Sequence, residues 1–141
     1  DIIDLFDWRN DEFTRHMLHT TYIIDWEGHR VWFAASLINT NRLLVMCEDE
    51  STNEKIAFDR FDVKSESALI AIILSPRMRG KRKAKECLTD AIFFFQKFYS
   101  EVRFIDAEIK SINIPSQKLF IGVGFLLVKE DTDVLYYEYV L

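Results

Sequence analysis

Seven apolar residues in a row, Ala68–Leu74 (ALIAIIL), run straight into Ser75-Pro76, and this junction narrows the fold more than any other. The run is rich in β-branched residues and far short of the roughly 20 residues of a membrane span. It predicts a central strand buried on both faces. Pro76 ends it, because proline has no N–H to give to a ladder. Gly80 follows inside a dense basic segment. Arg77, Arg79, Lys81, Arg82, Lys83 and Lys85 place six of the 18 cations within nine residues, with no acid among them. A long amphipathic helix is predicted from about Lys81 to Tyr99, with Ala84, Leu88, Ala91, Ile92, Phe95 and Phe98 facing inward. A helix start carries unpaired N–H groups and the positive end of the dipole. A glycine there lets the backbone approach a ligand. The combination suits a phosphate or pyrophosphate. It is neither a Walker loop nor a three-glycine dinucleotide fingerprint.

The rest of the charge argues for a small anion. Outside the basic segment 12 cations face 23 acids, within a net charge of −5. A nucleic-acid binder spreads its cations along a face, so no nucleic-acid partner is expected, and no membrane partner either. The 141 residues make one domain, 1–141, monomeric or homodimeric. Cys47 and Cys87 lie in apolar segments and read as buried thiols of a reducing, cytoplasmic compartment. Glu12, His16 and His19 share a helix face, but no further ligand cluster accompanies them, and no metal is expected.

Other segments predict helices over residues 1–18, with a break near Asn10-Asp11, and from Asp25 to about Asn39. Strands are expected at Arg42–Cys47, Lys55–Val63, Val102–Ile109, Phe125–Val128 and Val134–Val140, with a short helix over 115–121. Strands interrupted by single helices predict an α+β domain with a mixed sheet and helices on both faces.

The stretch Ser75-Pro-Arg-Met-Arg-Gly-Lys-Arg-Lys-Ala84 resembles the coenzyme A pyrophosphate loop of the GNAT acetyltransferases, R/Q-x-x-G-x-G/A. Arg77, Gly80 and Arg82 stand at its three positions. Starting 33 residues after Gly80, Asn113-Ile-Pro-Ser116-Gln-Lys-Leu119-Phe120 with Gly124-Phe125 is similar to that family's N-x-x-S-x-x-L-Y-x-x-x-G-F block. The N-terminal runs Phe6-Asp-Trp8-Arg9-Asn10-Asp11 and Ile24-Asp-Trp26-Glu27-Gly-His29 resemble one branch, which acetylates nucleotide-linked amino sugars in bacterial surface glycan pathways.

The resemblance implies a GNAT-type, mostly antiparallel twisted sheet, splayed near Leu74 and Asp106. The family's first strand would lie upstream of Asp1. It implies N-acetyl transfer from acetyl-CoA by direct attack of an amine, or, as the alternative, a catalytically reduced acyl-CoA-binding module or part of a larger enzyme. The cofactor would meet Arg77, Arg79, Gly80, Lys81, Arg82 and Lys83, with Asn113, Ser116 and Phe120 flanking its pantetheine arm. The N–H groups near Ile73 and Leu74 would hold the oxyanion. Arg9, Asn10, Trp26 and His29 would meet the acceptor. Phe120 replaces the family's general-acid tyrosine and Leu69 its strand glutamate. Substitute proton carriers are therefore sought in Tyr136, Tyr137 and Glu66.

Overall fold

The computed structural model describes residues 1–141, with five α-helices and six strands. Three helices come first: α1 (Ile2–Asn10), α2 (Glu12–Met17) and α3 (Trp26–Ile38). Asp11 separates the first two. Its backbone is extended, and its carboxylate accepts the Thr14 N–H, so it ends one helix and caps the next. A meander follows: β1 (Arg42–Glu48), β2 (Lys55–Lys64) and β3 (Ser67–Leu74). A 3-10 turn at Pro76–Met78 leads to α4 (Ala84–Phe98) and β4 (Phe104–Lys110). Then come α5 (Ile114–Val123), β5 (Leu126–Glu130) and β6 (Val134–Val140). Pro115 opens α5, and Gly124, at φ 118°, closes it in the left-handed region.

The strands form one sheet in the order β1-β2-β3-β4-β6-β5. Only β3 and β4 are parallel, and α4 is the crossover that parallel neighbours require. All other pairs are antiparallel. The sheet is thus mixed and mostly antiparallel, in the expected α+β class.

Alternation along the strands feeds a core on each face. Under α4 and α5 lie Phe61, Ile70, Leu88, Phe95, Ile105 and Phe125. Phe95 stacks on Phe61 with ring centroids 4.4 Å apart. The other face packs Leu5, Trp8 and Phe58 with Trp32, Phe33 and Ile73 under α1 and α3.

Three expectations change. Within β3 only Ala68 and Ile70 are buried; Ala71–Leu74 are half-buried, because one side of the strand's second half borders a cavity. The helix after Gly80 starts at Ala84, not Lys81, because Arg82 sits in the left-handed region at φ 58° and interrupts it. Phe98 is 61% exposed rather than inward, and Phe93 and Phe94 are exposed beside it.

Candidate active site

The site begins with a parting of strands. β3 and β4 pair from Ser67↔Phe104 to Ile70↔Ala107 and no farther. Beyond that point β3 pairs only with β2, and β4 only with β6. One edge of Ala71–Leu74 is therefore left without ladder partners. Asp106 still lies in the paired stretch, opposite Leu69, so the gap opens after Ile70 on β3, earlier than Leu74, and after Ala107 on β4, just past Asp106.

A cavity of about 570 Å³ fills the gap. Its floor is Ile72–Leu74 and Met78, and one end is the loop of Arg79, Gly80, Arg82 and Lys83. α5 contributes Asn113, Ser116 and Leu119, and α2 closes the opposite wall with Phe13, Thr14 and Met17. This size suits a drug-sized or cofactor-sized ligand.

The loop is built for close approach. Gly80 has φ 75°, and a Cβ there would meet nothing, so conformation rather than crowding favours glycine. No side chain caps α4, which leaves its first N–H groups for an anion. Arg77, Lys81 and Arg82 are exposed. Lys83 Nζ is 2.8 Å from Asp49. Arg79 pairs with Asp11, donates to Thr14 Oγ1 at 3.1 Å, and covers the Phe13 ring at 4.6 Å. At its other end the α2 segment is tied to β4. Lys110 Nζ donates to the His16 carbonyl at 3.2 Å, and the His19 ring donates to the Glu108 carbonyl at 3.3 Å. α2 thus spans the gap as a strap, and no histidine cluster able to hold a metal forms.

No family model matches the sequence, and no curated protein is significantly similar to it. Solved structures are similar in shape. A spermidine N-acetyltransferase from Vibrio cholerae, in complex with CoA and spermine, superposes with TM-score 0.87 at 15% identity, over 99% of this chain and 89% of that one. The Campylobacter jejuni N-acetyltransferase PseH, in complex with acetyl coenzyme A, gives 0.75 at 18%, over 99% and 89%. A ribosomal-protein-alanine N-acetyltransferase from Brucella melitensis gives 0.82 at 16%, over 100% and 94%.

The fold is that of the GNAT N-acetyltransferases.

On this GNAT frame the expected cofactor residues divide. Ile73, Leu74, Arg79, Gly80, Arg82, Lys83, Asn113 and Ser116 line the cavity. Arg77 and Lys81 stand outside its lining on the exposed loop. Phe120 is only 2% exposed and packs edge-on against Phe125 at 4.8 Å, so it belongs to the core rather than to a pantetheine channel.

The expected acceptor residues instead hold α1 to α3. His29 is fully buried among Phe6, Trp26, Trp32 and Phe33. Its Nε2–H donates to the Ile2 carbonyl at 2.9 Å, and Nδ1 accepts from Arg9 at 3.2 Å. Burial, with the Arg9 charge adding to it, lowers its pKa. The imidazole is therefore a neutral structural group, neither surface-exposed nor open to a substrate. Arg9 covers the Trp32 ring at 4.6 Å. Both ends of the Asn10 amide bond the Ile24 backbone, at 2.9 and 2.8 Å. Trp26 packs edge-on against Phe6 at 5.2 Å.

Of the expected proton carriers, Glu66 sits at the β2–β3 turn, before the first residue of β3. That is about 25 Å from Leu74 along an eight-residue strand, which removes it from the gap. Tyr137 is buried in the main core. Tyr136 remains half-exposed in a groove with Leu69, Asp106 and Glu108. This groove holds the acidic groups that sequence reasoning missed. Asp106 stands beside Leu69 on β3 and opposite Glu138 on β6. Burial first, then the charges of Glu138 and Glu108, raise its pKa. A carboxyl group thus lies next to Leu69, where the resemblance led us to expect a glutamate. Only strand register reveals it.

Proposed function

We propose that this chain transfers an acetyl group from acetyl-CoA to a primary amine. The observation that carries the reading is the parting of β3 from β4 with an uncapped helix start and a glycine loop at the cavity's end. A polyanionic head fits the Arg79–Ala84 backbone and the free cations around it. An apolar arm fits beside Ile72–Leu74. Acetyl-CoA, when bound, supplies an acetyl thioester. The unpaired edge of β3 offers the Leu74 N–H, since those of Ser75 and Ile73 face β2, to the oxyanion that forms as the amine attacks. Asp106, in the adjoining groove about 16 Å along β3 from Leu74, takes the amine's proton through intervening water. Phe120 has no proton to return to the leaving thiolate. The hydroxyls in the cavity lining are those of Thr14 and Ser116.

Two acceptor classes have support. The N-terminal runs resemble those of enzymes acting on nucleotide-linked amino sugars. Yet Arg9, Asn10 and His29 already have internal partners, and Asp106 and Glu108 with the adjacent Glu138 outweigh Lys64 and Lys129 on the groove and disfavour a diphosphate. The same acidic groups favour a cationic amine, and we place that class first. The shape similarity to a spermidine N-acetyltransferase agrees with it. Thiol release from acetyl-CoA is the test, with spermidine, an amino-terminal peptide and a nucleotide-linked amino sugar as acceptors. Release with spermidine or the peptide supports the reading. Release with the sugar nucleotide alone reinstates that class. Tight acetyl-CoA binding without release from any of them makes the chain an acyl-CoA-binding module and overturns the transferase reading.

A further inference from the structure

We propose that Cys47 and Cys87 form an oxidisable dithiol that closes to a disulfide and pins the first turn of α4 to β1. The two residues are 40 apart in sequence, and the α4–β1 packing brings them together. The Cys47 thiol is 3.7 Å from the Cys87 carbonyl oxygen and donates to Asp59 Oδ2 at 3.4 Å. Asp59 is fully buried on the neighbouring strand β2, and its other oxygen, Oδ1, has no hydrogen-bond partner. A packed core has no use for a carboxylate with a vacant lone pair, and burying one is costly. Beside a thiol, that carboxylate is a proton acceptor.

The thiols are within reach of a small oxidant. Both line a cavity of about 750 Å³ between β1 and α4, whose rim carries Asp49, Lys83 and Glu86. Cys87 lies in the first turn of the uncapped helix α4, with its N–H bonded to the Lys83 carbonyl at 3.2 Å. Helix N-termini stabilise thiolates. Cys47, by contrast, directs its proton to Asp59 Oδ2 and the Cys87 carbonyl, which leaves Cys87 the thiol free to ionise. Cys87 is therefore the nucleophile and Cys47 the resolving thiol.

The oxidant class is a hydroperoxide. The Cys87 thiolate attacks the distal peroxide oxygen. The O–O bond breaks, an S–O bond forms, and the alkoxide or hydroxide that leaves takes up the proton Cys87 gave up. Sulfur is oxidised to the sulfenic acid and the peroxide is reduced. Cys47 then passes its proton to Asp59 and attacks Cys87 Sγ. The S–S bond forms as hydroxide departs, and the Asp59 proton completes a water molecule. Two thiols and one hydroperoxide become one disulfide, one alcohol or water, and one further water. The disulfide would fix the helix turn that follows the glycine loop. That consequence for the cofactor rests on the acetyl-CoA reading; the disulfide does not.

The test treats the reduced chain with hydrogen peroxide and follows free thiols, intact mass and peptide maps. The expected product has lost both thiols, has a mass lower by two hydrogens, and links the Cys47 and Cys87 peptides within one chain, reversibly with dithiothreitol. Cys47→Ser should stop at a sulfenic acid on Cys87 that dimedone traps. Cys87→Ser should form neither disulfide nor trapped adduct. Circular dichroism verifies that both near-isosteric variants fold. Thiols that survive peroxide, or disulfides formed only between chains, would overturn the proposal. Acetyl-CoA affinity is then compared between the reduced and oxidised chain. A change links the dithiol to the cofactor site. Disulfide formation with unchanged affinity overturns the link alone, and absence of binding to the reduced chain overturns the acetyl-CoA reading instead.

Discussion

Replacing Asp59 with asparagine should make the chain's stability much less sensitive to pH. On β2, Ala57, Asp59 and Phe61 alternate onto the face that α4 covers, and Asp59 is the charged member of that row. It has no cationic partner, and its one hydrogen bond is with a thiol. Burial therefore pushes its carboxyl from an ordinary 3.8 up to about 7, the Cys47 hydrogen bond offsetting only part. The folded chain holds this proton more tightly than the unfolded chain does. Between pH 3.8 and about 7 the folded state has more protons bound, so stability falls as pH rises through that window and levels off above it. At about 1.4 kcal/mol per pH unit, the move is worth about 4 kcal/mol. That is a large share of the 5–15 kcal/mol of a typical domain. Asparagine keeps the size of the side chain and abolishes the ionisation. Urea denaturation of both proteins from pH 4 to pH 8 isolates the effect, because every other titrating group cancels in the difference. The advantage of Asp59→Asn over the parent should grow by about 4 kcal/mol from the acid to the neutral end. A difference that stays constant with pH would refute the reasoning, since it would mean the carboxylate is solvated or paired.

Phe95→Ala removes a fully buried ring stacked between Phe61 and Tyr99, and should cost about 3–5 kcal/mol in urea denaturation; a loss below about 1 kcal/mol would contradict the packing described. The His29 ring should titrate below the ordinary histidine value of 6.5 when followed by NMR, and its contribution to stability should fade as pH drops through that region; titration at or above the ordinary value would contradict its buried, neutral role. Asp106→Asn should lower kcat by about 100- to 10,000-fold while acetyl-CoA affinity holds. The parent's kcat should also fall on acidification at a pH above the usual carboxylate range, and a variant within a few-fold of the parent would remove Asp106 as the base.

Local signals carried much of the fold. The apolar run ending at Ser75-Pro76, the basic loop with Gly80 and the helix spacing after it are adjacent in sequence, and the strand–loop–helix they describe is present. One of its details was only hinted at: the loop pattern has glycine or alanine where Arg82 stands, and Arg82 is left-handed there. What could not be read depends on tertiary placement. His29 follows Trp26 and Glu27 on a helix start and looks solvent-facing, but the packing of α1 against α3 buries it. Phe120 stands where the resemblance led us to expect a tyrosine, and its ring turns into the core toward Phe125. Asp106 comes beside Leu69 only through strand register, and Cys47 meets Cys87 only once α4 lies on β1.

The claim on which everything functional rests is that the gap between β3 and β4 binds acetyl-CoA. A calorimetric titration of the chain with acetyl-CoA, beside a Gly80→Asp variant, tests it most directly. The variant places a carboxylate and a strained φ at the loop without steric conflict. The parent should bind one equivalent, and at about 100 times the dissociation constant the ligand should stabilise the fold by about 2.7 kcal/mol. Gly80→Asp should abolish both effects while remaining folded. Failure of the parent to bind, or undiminished binding by the variant, would contradict the account.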